Sequence, residues 1–206
     1  SLGINVANMS VAGSGKDDGN CGNTNGDAEH KAICAAAAAG VTFVVSAGNS
    51  GVDFANSIPA AYREVLTVTA MTDTDGLPGG LGAASCSKGD LDDRSASYSS
   101  FAVSAASMAH TIAAPGTCVV SDGMGGGTST YTGTSQAAPH VVGAVALCEG
   151  SAGVPGPCAG LTPAAVISRV RADATAADTT ANGFLGDPLR PLTGKVFGPL
   201  VSTAAY

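Results

Sequence analysis

Two short stretches, "VTFVVSAG" at residues 41 to 48 and "EVLTVTAM" at residues 64 to 71, restrict the fold more than any other feature of this chain. Each is an apolar, β-branched run without the polar alternation of a strand that has one wet face, so each reads as a strand covered on both sides. Before them, "DAEHKAICAAAAAG" at 27 to 40 reads as a helix, with Asp27 as N-cap, Glu29 in the first turn and Gly40 at the stop. Earlier still, "INVANMS" at 4 to 10 reads as a short buried strand, and a polar Gly/Ser/Asp/Asn loop follows it. Strand, helix, strand, connection, strand implies right-handed crossovers. The expected fold is therefore α/β, a mainly parallel sheet with helices on both faces.

Residues 72 to 95 are polar and glycine-rich and read as loop. Within them "DTDG" at 73 to 76 resembles the start of a calcium loop but lacks the later ligand positions and the closing Glu, so a solvated turn is the better reading. After "SYSSFAVS" at 97 to 104, "HTIAAPGTCVV" reads as one strand over 110 to 120, and "SDGMGGGTSTYTG" as a glycine-rich excursion or hairpin. A helix follows over about 134 to 148. A further one spans 162 to 174, with Thr162 as N-cap and Pro163 at its first position. Residues 175 to 206 read as loops with a short hairpin.

The length of 206 residues fits one domain, and a chain that is 45% hydrophobic and 12% charged has the material for a core. A net charge of −7 argues against a nucleic-acid surface, which needs clustered cations. No stretch approaches the roughly 20 apolar residues that cross a bilayer, so no membrane partner is expected. The first residues, "SLGINVANMS", have neither the charged nor the apolar part of a signal peptide, so any targeting segment is expected upstream. Six cysteines, at 21, 34, 86, 118, 148 and 158, form no CxxC pair and have no histidine at zinc spacing. They suggest an oxidising, extracellular setting and three disulfides rather than buried thiols. Fifteen complete pairings are open in principle; sequential pairing, Cys21–Cys34, Cys86–Cys118 and Cys148–Cys158, is expected, because "EGSAGVPGP" is a turn-rich loop between the last two and Cys21 lies just before the helix that holds Cys34.

Chemistry is suggested at "YTGTSQAAPHVVGAVAL", 131 to 147, where a Gly/Thr/Ser turn runs straight into an apolar helix with Ser135 at the seam. Free N–H groups and the helix dipole at such a place favour a developing negative charge. On spacing alone, however, Ser135 or Thr134 reads as a helix cap, and Pro139 is tolerable near the first turn, where its missing N–H removes little or no intrahelical bonding.

The wording changes that balance. "GTSQAAPHVVGAVAL" closely resembles the Gly-Thr-Ser-x-Ala-x-Pro-His-Val-x-Gly signature of the subtilisin-like serine proteases, the subtilases. In family order it is joined by "NMSVAG" at 8 to 13, "VVSAGNSG" at 44 to 51, "IPAAYREVLTVTA" at 58 to 70, "SYSSFA" at 97 to 102 and "APG" at 114 to 116. The resemblance runs to about residue 175 and leaves 176 to 206 unassigned. It implies a subtilisin-like three-layer fold and a peptide or protein substrate cleaved through an acyl-enzyme on Ser135. Asn49 would stand in the oxyanion hole beside the Ser135 backbone N–H. By the same resemblance Ser10, Val11 and Ala12 would form the rim on which a peptide lies as an added strand. Ala47 and Gly48 would border the side-chain pocket, with Thr134 a further substrate-binding position. Ala12 and Ala102 stand where the family usually has Gly.

A serine protease also needs a general base and a carboxylate that orients it, and subtilases order their triad Asp, His, Ser. Neither an Asp-Thr/Ser-Gly nor a His-Gly-Thr-His string occurs here. The chain is accordingly expected to be the C-terminal part of a catalytic domain, with the Asp and His in an upstream segment of the same precursor, and to be inactive alone. His140 is five residues after Ser135, about 7.5 Å of rise and 140° of rotation on a helix, so its ring leaves on another face; His30 reads as a helix-face residue, and His110 starts a strand. No cofactor is required for the chemistry and no metal site is read from side chains; structural calcium held by loop carbonyls leaves no such trace, and "IPAAY" is a weak candidate for it. "AGSGKDD" at 12 to 18 lacks the first Gly and the final Ser/Thr of a phosphate loop. Asn8-Met9-Ser10 fits a glycosylation sequon but falls in the expected buried strand. The rival reading is a pseudoprotease that keeps only the peptide-binding fold.

Overall fold

The computed structural model describes residues 3–83 and 85–206. Ser1 and Leu2 of the opening segment and Ala84 of the 72–95 loop lie outside the described residues. In chain order the first half comprises β1 (Val6–Met9), β2 (Gly13–Ser14), α1 (Ala28–Ala38), β3 (Thr42–Ser46), β4 (Ser57–Ile58) and β5 (Val65–Thr72). The second half comprises β6 (Arg94–Ser95), α2 (Ala105–Met108), β7 (Thr111–Pro115), β8 (Val119–Asp122), β9 (Thr128–Tyr131), α3 (Thr134–Glu149), β10 (Gly150–Ser151), β11 (Val154–Pro155) and α4 (Pro163–Ala177).

The frame is a parallel sheet in the order β1-β3-β5-β7, with Val44 opposite Leu66 and Val68 opposite Ile112. All eight residues of β5 are buried. Alternation sorts them onto two faces. Leu66, Val68 and Ala70 join Val44, Ile112 and Ala114 in a core with Ala137, Val141 and Val145 of α3 and Val166 and Val170 of α4. On the other face Val45 and Val65 pack with Ile33 of α1, Phe54 and Tyr62. Helices thus cover both faces, as the continuous apolar runs require. The threonines on the second face are satisfied by loops: Thr67 Oγ1 donates to the Ala60 carbonyl at 2.7 Å and Thr69 Oγ1 to that of Phe197 at 2.6 Å.

Asp27 caps α1 as expected, accepting from the Glu29 and His30 N–H groups, and Thr162 caps α4 through Ala165 N–H. The three disulfides are Cys21–Cys34, Cys86–Cys118 and Cys148–Cys158, the sequential set. The strand expected over 110 to 120 is two strands. Gly116 donates to the Met71 carbonyl and accepts from Gly133 N–H at 2.8 Å, while Cys118 adopts φ +57°, so the chain leaves the sheet and re-pairs as the β8-β9 hairpin. Gly116 is required there by proximity: a Cβ would lie 2.7 Å from Ala70 Cβ and 2.9 Å from the Gly133 oxygen. β1 also departs from expectation. Among the described residues it pairs only with β3, and Asn8 is exposed, so it is an edge strand and not a buried one. The tail is docked: Ala113 N–H donates to Pro199 and Val201 N–H to Ala113, so residues 199 to 201 line the free edge of β7, and Phe184 and Phe197 fill a third cluster with Met71 and Phe101.

Candidate active site

Strands β1 and β3 and helix α3 converge at their ends on Ser135. The helix begins at Thr134, its N-cap position is Gly133, and no side chain of the adjoining residues caps it. Ser135 is therefore the second helical residue and does not cap; its Oγ donates to the Ser10 carbonyl at 3.5 Å. The orphan N–H of Thr134 is taken from a distance by Asn49 Oδ1 at 2.8 Å, and Thr134 Oγ1 donates to the same oxygen at 2.9 Å. Thr134 Oγ1 in turn accepts Gly48 N–H at 3.1 Å. Because two donors claim the amide oxygen, the Asn49 Nδ2 group is the half that remains for a ligand. Gly48 has φ +98°, which a side chain tolerates poorly. An α-helix has no internal partner for the Ser135 N–H in its first turn, so that N–H is free to donate outside the helix, next to the residue that Asn49 holds through its amide oxygen.

Pro139 helps to explain the other side of the site. It lies inside α3 and has no N–H to give to the carbonyl four residues before it, which is that of Ser135. That carbonyl accepts instead from Ser10 Oγ at 2.9 Å. Pro139 therefore costs the helix one internal bond, contrary to the expectation of little loss, and the bond is replaced by a tie between α3 and the segment after β1. Ser10 and Val11 lie at that seam, and Val11 and Ala12 are exposed. Ala47 is fully buried in the second core cluster with Val45 and Phe54, whereas Ser46, of opposite parity, reaches the Val11 carbonyl through Oγ at 3.3 Å. Neither the Ser46 contact nor the Thr134 link is visible in sequence, although the period-2 alternation of "VVSAG" already puts Ser46 and Ala47 on opposite faces.

A groove of about 460 Å³ adjoins Ser135 and is lined by Gln136, Pro139 and His140 of the helix and by Val120 and Tyr131 of the hairpin. His140 is exposed and its Nδ1 bonds the Gln136 carbonyl at 2.9 Å. His110 is buried on the far face, edge-on to Phe54 and 3.3 Å from Thr67 Oγ1, and burial pushes its imidazole down to about 4. His30, in the first turn of α1, is fully buried. Among the described residues, no histidine hydrogen-bonds Ser135.

Residues 1–184 match the model of the subtilase family, and the chain belongs to that family of subtilisin-like serine peptidases. It is 34% identical over 155 residues to subtilisin-like protease 7 of Arthroderma otae, covering 74% of this chain and 30% of that protein. Over 118 residues it is 35% identical to subtilisin-like protease 5 of Arthroderma gypseum, covering 57% of this chain and 24% of that one. Among solved structures, a cold adapted subtilisin-like serine proteinase superposes with a TM-score of 0.65 at 26% identity, over 98% of this chain and 55% of that one. Proteases from Pseudoalteromonas arctica give 0.61 at 22% identity, over 100% and 53%, a likeness of fold. The chain thus spans under a third of those curated relatives and about half of those structures.

Proposed function

We propose that this chain is the nucleophile-bearing part of a secreted serine endopeptidase. Ser135 Oγ attacks the carbonyl carbon of a peptide bond and loses its proton to a base. The resulting oxyanion is held by Asn49 Nδ2 and the Ser135 N–H, and collapse expels the amine, which takes up a proton and leaves an acyl-enzyme for water to release. Ser10, Val11 and Ala12 receive the peptide backbone, Ala47 and Gly48 border the side-chain pocket, and Thr134 is a further substrate-binding position. The observation that carries this reading is the clamp on Asn49: a buried threonine at the first helical position, the neighbour of Ser135, engages the amide oxygen twice and leaves the NH₂ as the half free to donate. Ser135 has no histidine partner among the described residues, which supports placing the base and its orienting aspartate in an upstream segment of the precursor. The three disulfides fit an oxidising compartment, and no cofactor enters the chemistry.

The test is labelling with a peptidyl organophosphonate. The full-length parent protein should be modified rapidly at Ser135 and Ser135→Ala should not, while this 206-residue chain alone should hydrolyse no peptide. A parent protein that resists the label would be the peptide-binding pseudoprotease instead, and Ser135-dependent turnover by the isolated chain would refute the upstream base.

A further inference from the structure

Away from the active site, the loop before α1 folds back on a buried histidine. His30 is fully buried, its ring stacks on Tyr62 at 3.9 Å between centroids, and its Nε2 lies 2.9 Å from Glu64 Oε2. An ionised carboxylate only accepts, so the ring proton belongs on Nε2 and the Nδ1 lone pair is the one left over. Nδ1 has no hydrogen-bond partner. It nevertheless points at two carboxylates, 3.4 Å from Asp18 Oδ1 and 3.9 Å from Asp17 Oδ1. A bare lone pair facing two anionic oxygens is repulsive unless a metal ion or a second ring proton lies between them.

The carboxylates are held in place independently of the histidine. Asp18 Oδ1 accepts the Asn20 and Gly22 N–H groups and Oδ2 accepts Thr24 and Asn25 N–H. Burial opposes its charge, but these four bonds hold its carboxyl well below the usual range. Asp17 Oδ1 accepts one N–H, that of Gly19 at 2.7 Å, and Oδ2 takes Arg63 Nε at 3.1 Å, so Oδ1 keeps a lone pair for another partner. Asp27 holds the Tyr62 hydroxyl at 2.5 Å and so fixes the ring beneath the imidazole.

We propose that His30 Nδ1, Asp17 Oδ1 and Asp18 Oδ1 form a site for a divalent transition ion of the zinc type. One ligand atom from each of Asp17, Asp18 and His30 lies within 4.8 Å of the other two. Donors bound tetrahedrally at about 2.0 to 2.1 Å stand about 3.3 to 3.4 Å apart, close to the Asp18 separation and a small side-chain rotation from the Asp17 one. A ligating histidine that donates its other N–H to a carboxylate, here Glu64, is the usual second layer of such sites. Imidazole as a donor favours zinc, cobalt or nickel over calcium. Cys21 and Cys34 lie in the same neighbourhood, but their sulfurs are bonded to each other and offer no thiolate. Asp18, with both oxygens already engaged, contributes charge and the weakest bond, and water completes the shell.

The rival occupant of the gap is a proton on Nδ1, and one set of measurements separates the two. The parent protein, purified without reductant and stripped with a chelator, is titrated with Zn²⁺ alone and with Ca²⁺ alone. One Zn²⁺ should bind more tightly than Ca²⁺, and Asp17→Asn, which keeps the Gly19 acceptor, should weaken Zn²⁺ by at least about tenfold. In ¹⁵N-histidine spectra Nδ1 of His30 should move to a metal-bound shift while Nε2 stays protonated. Zinc affinity unchanged in Asp17→Asn, calcium bound more tightly than zinc at these residues, or a His30 ring doubly protonated throughout the zinc titration would each overturn the assignment.

Discussion

The bond between Ser10 Oγ and the Ser135 carbonyl exists because Pro139 cannot make it, and a double-mutant cycle tests that dependence. Ser10→Ala removes a hydroxyl that donates at 2.9 Å to a carbonyl in a part-buried setting. The loss should cost about 1 to 2 kcal/mol, the upper end applying if the carbonyl finds no other donor. Ser10 Oγ also accepts from Asn8 Nδ2 at 3.1 Å, an exposed bond whose loss is the same in either background. In Pro139→Ala the restored N–H lies one helical turn from the Ser135 carbonyl and supplies the missing donor. Ser10→Ala should then cost only about half as much, a coupling of roughly 0.5 to 1 kcal/mol, above the usual error of additivity. Urea denaturation of the four proteins measures it, with equal m-values as the check that the unfolded state is unchanged. An identical Ser10→Ala cost with and without the Pro139→Ala substitution would show that the proline does not create the vacancy Ser10 fills.

Two further perturbations address the same site. Thr134→Val keeps the shape of a buried side chain but deletes the hydroxyl that bonds Asn49 Oδ1 and accepts Gly48 N–H. It should destabilise the chain by about 1 to 3 kcal/mol and lower kcat of the parent protein by less than the roughly 10²- to 10³-fold expected of an oxyanion-donor deletion such as Asn49→Ala; thermal melts and kcat measurements check both. Gly116→Ala places a methyl against Ala70, the Gly133 oxygen and Ala137, all within 3.2 Å and none on a flexible side chain. A cost of about 1 to 3 kcal/mol, read from denaturation, and slower phosphonate labelling of Ser135 are expected, because the strain is relieved by displacing the start of α3.

The parts of this molecule legible in sequence are those whose cause is local. β5 announces itself because eight consecutive residues are buried on both faces, and α1 and α4 carry their caps next to them. Gly116 is legible as part of a motif but not as the end of a strand, since the atoms that forbid a side chain there come from β5 and α3. The same reason divides the site. Ser135 at a helix start and Asn49 after a strand can be read from their neighbours, but their relation runs through Thr134, 85 residues from Asn49 and useful only once the helix and the loop meet.

β1 departs from its sequence pattern for a related reason. Its apolar residues indicate a strand, but burial on a second side depends on a neighbour, and among the described residues it has only β3. Asn8 of the Asn-Met-Ser string is consequently exposed, so the argument that burial shields this sequon does not hold for the chain as described. A segment seated on that edge would lie beside Ser10, whose hydroxyl already ties the same edge to the Ser135 carbonyl, so occupancy of the sequon and access to that tie would change together.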